Sequence, residues 1–248
     1  MSKTYETGHA KNVANFEMLI TYLTSFGSIY NPSNASINLT SLNDKAKVAR
    51  AVTEQVNRIM GANSSSVADR AKAFEPLSKL STRIFNALKA SSVTTAIIEN
   101  AATNHRKLQG RRATPKLTDA EKQQVAANGT VVKQISASQQ SFDSKLDSLE
   151  KQIYLLSTSP KYNPNENDLR LDTLTKLHKD LLQKNSEVIL INAELSNARI
   201  NRNNVLYNQE DGMVTLALNA KDYSKSIFGT TTPQYKQISG ILFKKVKM

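Results

Sequence analysis

The chain contains no cysteine and no tryptophan, and its 248 residues include only 8 glycines and 6 prolines. Each shortage excludes something. Without cysteine there is no disulfide framework and no thiolate metal site. So few turn formers do not suit a β-sandwich or barrel, which must reverse direction every ten residues or so. Histidine is scarce too. His9, His105 and His178 are the only three, and none has a histidine or carboxylate four residues on, so no helical zinc pair is encoded. No window approaches the roughly 18 apolar residues of a membrane-spanning helix. The opening Met1-Ser2-Lys3-Thr4-Tyr5-Glu6 lacks the apolar core of a signal peptide. A soluble, cytoplasmic protein is the expectation. There is no Gly-rich phosphate loop, Gly-x-Ser-x-Gly elbow or Asp-x-Asp calcium loop. Catalytic, cofactor and metal residues are therefore expected to be none, and the protein is expected not to be an enzyme.

What remains is rich in Ala, Leu, Lys, Asn, Ser and Gln, a composition that suits helices with polar outer faces. The net charge is +12, and it is concentrated. Residues 62–117 hold 10 basic and 3 acidic side chains, whereas 118–168 hold 5 and 7. The strongest run is Arg106-Lys107-Leu108-Gln109-Gly110-Arg111-Arg112, with Lys116 nearby and a second group at Lys244, Lys245 and Lys247. Cations at a helix C-terminus interact with its dipole, so part of this run reads as capping. The rest reads either as a solvated basic face or as a contact for phosphates. Aromatics are not interleaved with it, so backbone contact rather than base stacking is the form that nucleic-acid binding would take.

An internal repeat organises the chain. Tyr30-Asn31-Pro32 recurs as Tyr162-Asn163-Pro164, and the same shift of 132 carries Ile37, Leu39 and Leu42 onto Leu169, Leu171 and Leu174. Upstream, a shift of 133 carries Phe16-Glu17 onto Leu149-Glu150, and Ile20 and Leu23 onto Ile153 and Leu156. A shift of 118 then matches Leu77-Ser78 with Leu195-Ser196, and Asn86 with Asn204. Collinear blocks of this kind are what duplication and divergence leave behind. The repeats are assigned to 1–116 and to 117–248, the second including a connecting helix and the basic tail. They form either two domains or one shared bundle.

The expected fold is all-α, an internally duplicated antiparallel helical bundle with long helices. Val13, Phe16, Leu19, Ile20, Leu23 and Phe26 make one apolar stripe over 9–28; Phe142, Leu146, Leu149, Ile153 and Leu156 make its counterpart. Each helix ends before Tyr-Asn-Pro, because proline and the residue before it disfavour helix. Tyr30 and Pro32, with Tyr162 and Pro164, thus mark a repeated turn. It is either a recognition element shown twice or a tyrosine packed over the hairpin end with its hydroxyl on water or backbone. Leu174, Leu181, Val188 and Leu195 fall seven apart and predict one long helix. Gly61-Ala62-Asn63-Ser64-Ser65-Ser66 predicts a break in the first copy where the second has none. Gly110 and Gly229 are expected to be left-handed caps, each followed by a proline that prevents the helix resuming. Thr118-Asp119-Ala120-Glu121 has the capping-box pattern, with Asn128-Gly129 kinking or splitting the connecting helix. Asn86 and Asn204 are expected to bond across the bundle, and the tail from residue 238 to be extended or disordered.

Lys221-Asp222-Tyr223-Ser224-Lys225-Ser226-Ile227-Phe228-Gly229, then Thr232-Pro233-Gln234-Tyr235-Lys236-Gln237, together with the Tyr162 turn and Leu195-Ser196-Asn197-Ala198-Arg199, resembles a group of uncharacterised bacterial helical proteins. That resemblance covers most of the second copy and implies a helical fold and a bacterial origin; it carries over no functional residue. The functional expectation is a structural or interaction protein that assembles with itself, as a homo-oligomer, or binds a protein partner. The alternative is nucleic-acid or polyanion binding through Arg106, Lys107, Arg111, Arg112, Lys116, Lys244, Lys245 and Lys247.

Overall fold

A computed structural model describes residues 8–111, 118, 123 and 140–244. Among them the chain is helical and forms no strand. The helices are α1 (His9–Ser25), α2 (Leu39–Phe74), α3 (Leu77–Ala90), α4 (Thr95–Gln109), α5 (Phe142–Ser157), α6 (Leu171–Tyr207), α7 (Met213–Phe228) and α8 (Pro233–Ser239). No helix among the described residues is long and apolar enough to cross a membrane. The connecting segment with its capping box and Asn128-Gly129 lies outside the described residues, Thr118 apart.

The heptad run predicted for α6 is a buried seam: Leu174, Leu181, Val188 and Leu195 are all buried. The break predicted at residues 61–66 is absent, because α2 runs unbroken for 36 residues, against 37 for α6. Glycine in a helix interior costs only about 1 kcal/mol relative to alanine. Here Val56 and Ile59 on one side, and Ser66 and Phe74 on the other, are buried and hold the helix through the polar stretch. The shift of 118 falls with the break. Leu77 opens α3 whereas Leu195 lies inside α6, so these positions are not equivalent.

The chain divides into two compact units, one of residues 1–63 with 191–248 and one of residues 64–190. These are not the segments 1–116 and 117–248. Both boundaries fall inside the long helices. A helix of 36 residues is about 54 Å long, more than one small core covers, so its two ends serve different cores. In the first unit α1 contributes Phe16, Leu19 and Leu23, α2 contributes Leu42, and Leu206 and Met213 join them in one buried cluster. In the second unit α3 packs on α4 and α4 on α5. Leu88, Ala101, Leu156 and Leu174 form one cluster there, and Phe74, Leu108, Leu149 and Leu181 another. Arg70 locks three helices of this unit. Its guanidinium lies 4.1 Å over the Phe142 ring and donates to Asn185 Oδ1 at 3.0 Å, and Asn185 donates to Asp143 Oδ1 at 2.7 Å.

Gly110 takes the left-handed conformation expected of a cap, at φ 67°. Its N–H donates to Lys107 O at 3.1 Å and that of Arg111 to Arg106 O at 2.9 Å, the paired bonds that close a helix end. Gly229 differs. Its ψ of 172° puts it outside the left-handed helical region despite a positive φ. Pro233 does not stop the chain from resuming helix either. It occupies the first turn of α8, capped by Thr232, where the missing N–H costs nothing.

The two Tyr-Asn-Pro turns have the same bonding. Tyr30 N–H donates to Gly27 O and Tyr162 N–H to Ser159 O, each three residues back. Each ring is buried. Each hydroxyl donates to the carbonyl seven residues on, Tyr30 to Ile37 at 2.7 Å and Tyr162 to Leu169 at 2.8 Å. A 3-10 turn follows in both, at Ala35–Ile37 and Asn167–Leu169. Burial pushes the Tyr162 hydroxyl up to about 12, with Glu166 and Asp168 adding to the effect. Tyr30 is raised as well, by burial and by Tyr223. The stability tied to these neutral hydroxyls is present below the ordinary tyrosine value and is lost as pH rises through the folded values.

Tyr30→Phe and Tyr162→Phe each leave a buried carbonyl without its donor. Each is expected to lower unfolding free energy by about 1–3 kcal/mol, read as a lower urea midpoint at unchanged helix content. A midpoint equal to that of the unaltered chain would show that the hydroxyl bond does not hold the turn.

Candidate functional site

The basic run falls at the end of α4. Arg106 and Lys107 occupy its last turn, and Arg111 follows the Gly110 cap. Their carbonyls are used internally, Lys107 O accepting from both the Gly110 N–H and Gln140 Nε2 (2.8 Å). Arg106 Nη2 donates to Thr103 Oγ1 at 3.0 Å, and none of the three joins an ion pair among the described residues. Lys244 belongs to the other unit. Arg112, Lys116, Lys245 and Lys247 lie outside the described residues.

Near this run, Ser81 and His105 form a pair with a catalytic look among the described residues. Ser81 Oγ lies 2.8 Å from His105 Nδ1. The imidazole stacks on Phe85 with ring centroids 5.0 Å apart and planes 11° from parallel, and Lys89 lies over the far ring at 4.9 Å. A nucleophilic dyad needs an accessible hydroxyl and a group that orients the base. Ser81 is buried, and no carboxylate bonds His105 among the described residues. The pair packs α3 against α4. Burial holds the His105 imidazole below its ordinary value, with Arg111 and Lys89 adding to the effect.

The Tyr162 turn lines a cleft of about 580 Å³ with Arg83, Asn86, Lys161, Asn163 and Glu166. Both cations are engaged. Arg83 forms a two-pronged ion pair with Asp168, and Lys161 donates to Ser92 O at 3.0 Å. Ser92 has φ 54°, an unfavourable value for a side chain with a Cβ, and the lysine secures that bend. Asn86 lines this cleft rather than bonding across a core, and the Asn204 carboxamide accepts from Asn208, one turn on, with no cross-bundle partner among the described residues.

The long helix α6 carries a different feature. On the side away from its seam, Leu182, Ile189 and Leu190 are 47%, 56% and 69% exposed. Leu182 and Ile189 are seven apart and share a face with Leu190 alongside. His178 and Lys184 sit half-buried at the edge of the seam.

Sequence reasoning passed over one constellation. In the first unit Asn12, buried on α1, donates from Nδ2 to Tyr207 Oη at 3.1 Å and to Lys244 O at 2.7 Å. Its Oδ1 accepts the Lys244 N–H at 3.2 Å. One turn on, Asn15 donates to Leu242 O at 2.7 Å. From α7, Lys221 Nζ donates to Ser239 O at 3.1 Å and to Ile241 O at 2.9 Å; burial lowers its affinity for the proton and Asp222 opposes that. His9 Nδ1 meets the Tyr207 hydroxyl at 2.8 Å. Burial, then the Arg202 charge, hold His9 below its ordinary value. The signal was present in the sequence: Asn12 is a carboxamide in phase with the stripe of Phe16, Leu19 and Leu23.

No protein-family model matches the chain, and neither a curated protein nor a solved structure matches it.

For His9 and His105 the folded value lies below the unfolded one, so their contribution to stability is complete above about pH 6.5 and is lost as pH falls through the folded values. The urea midpoint is expected to drop as pH falls below about 6.5, and His105→Gln to flatten part of that drop. A midpoint that stays level or rises as pH falls contradicts the assignment.

Proposed function

We propose that this chain is a non-enzymatic helical interaction protein that assembles with a second copy of itself through the outer face of α6. The observation that carries this reading is the exposure of Leu182, Ile189 and Leu190 on one regular helix. Three large aliphatics on a rigid face form the apolar centre around which interfaces close. Heptad spacing on the buried side of the same helix supports the reading only in that it keeps α6 regular and rigid. A cytoplasmic location and a bacterial origin fit this reading.

The scaffold for that face is, in the same proposal, a diverged duplication. Two helices of 36 and 37 residues, each preceded by a Tyr-Asn-Pro turn with identical bonding, support it. Each compact unit then takes the turn and the first part of the long helix from one copy, and the last part of the long helix from the other. Antiparallel hairpins at the two turns complete this bundle arrangement.

A second reading rests on Arg106, Lys107 and Arg111 beside one another at the end of α4. It makes the patch a contact for nucleic acid or another polyanion through phosphate alone.

Size-exclusion chromatography with light scattering tests the first reading. A concentration-dependent dimer is expected, with Ile189→Glu and Leu190→Glu shifting it to monomer at unchanged helicity, because neither side chain is in a core. A strict monomer over a wide concentration range defeats the proposal. For the second, the test is the salt dependence of duplex DNA or RNA binding. Replacing all three cations by glutamine is expected to flatten the slope of log K against log salt by about 2.7. An unchanged slope, or no binding in low salt, removes it.

A further inference from the structure

The segment 241–244 is held largely through its main chain. Past α8 it has no regular secondary structure, yet Ile241 is buried and Phe243 packs on the same core. The polar contacts go to its main chain: Asn12 to both the N–H and the carbonyl of Lys244, Asn15 to Leu242 O, Lys221 to Ile241 O. Helices α1 and α7 thus present a groove that reads an extended backbone and takes an apolar side chain at every second position. The side chain between, Leu242, is 49% exposed.

Two properties make the occupant replaceable and the groove intolerant of standing empty. The contacts just named are all made by the segment's own backbone and apolar side chains, so a second copy of it satisfies them equally. Asn12, by contrast, is 3% exposed, and both ends of its carboxamide turn to Lys244. Withdrawal leaves that buried amide without its backbone partner and uncovers the Ile241 site, so release demands a substitute.

We propose that segment 241–244 is an exchangeable ligand of the α1–α7 groove, and that the groove accepts the same segment from a second copy of this chain. Exchange of an identical element between two copies of the chain creates no new kind of contact and so is a low-cost route to assembly. Within one chain the segment competes at an effective concentration set by its short tether, which keeps the exchanged form a minority until the chain is concentrated. This is separate from the α6 face, and either stands without the other.

The test uses a fluorescent peptide with the sequence of residues 241–248, titrated by anisotropy. The full chain is expected to bind it weakly, a chain ending at Gly240 at least tenfold more tightly, and Asn12→Leu in the shortened chain to abolish binding. The peptide is also expected to dissolve a tail-exchanged dimer of the full chain, which Leu190→Glu leaves intact. If the shortened chain is helical, unfolds cooperatively and does not bind the peptide, the proposal is wrong. Should the shortened chain not fold, native-state hydrogen exchange on the full chain decides. The amides of Ile241 and Lys244 are expected to exchange through a local opening, well before those of Leu19 and Leu216. Exchange of all four only by global unfolding makes the segment a fixed part of the core and overturns the proposal.

Discussion

The constraint behind most of this structure is the length of two helices. An apolar seam some ten turns long cannot be buried in one small core, because the helices packed beside it, such as α1, α3 and α5, run for 17 residues or fewer. The seam must be covered in instalments. The first part of α2 is covered by α1 and the chain from α7 onward, and the first part of α6 by α3, α4 and α5. The tyrosine at each Tyr-Asn-Pro turn fixes where an instalment begins. By bonding a carbonyl seven residues on, it sets the entry of the long helix against the helix before it. Two units, each discontinuous or embedded in sequence, follow from that geometry.

Within the cores a few carboxamides do what aliphatics cannot. Asn12 and Asn185 are each 3% exposed and each joins three elements. A leucine in either place would bury more apolar surface, but it would not discriminate one register or one backbone from another. Buried polar groups are expensive when unpaired and specific when paired. Gln152 is the exception. It is 2% exposed on α5, and its amide atoms have no partner among the described residues, where a hydrocarbon side chain would be the cheaper choice.

Much of this was legible in the sequence, and the rest was hidden for physical reasons. Stripes at three and four placed α1, α5 and the α6 seam, because burial imposes the helical period directly on residue type. The Tyr-Asn-Pro turns and the Gly110 cap were legible because they depend on local backbone chemistry. The continuity of α2 was not. The penalty of Gly61 and the neighbouring serines is local and small, while the burial that overrides it comes from residues distant in sequence. For the same reason the division at 63/64 and 190/191 was invisible: periodicity says which face is buried, not what buries it. Of the candidate basic run, Arg106 and Lys107 occupy the last turn of α4 and Arg111 follows its cap. The groove that holds the tail went unseen because its ligand is backbone, which leaves no mark on residue type beyond the asparagines that read it.

The arrangement of the units has a consequence for biosynthesis. Residues 64–190 are contiguous in sequence, so their unit has all its residues once residue 190 is made. The α1 stripe waits longer, for Leu206, Met213 and Ile241, which are made after the whole of that unit. Until then the stripe stands uncovered, in the circumstances where nascent chains associate wrongly. The order of synthesis therefore makes the need for a chaperone greatest around α1.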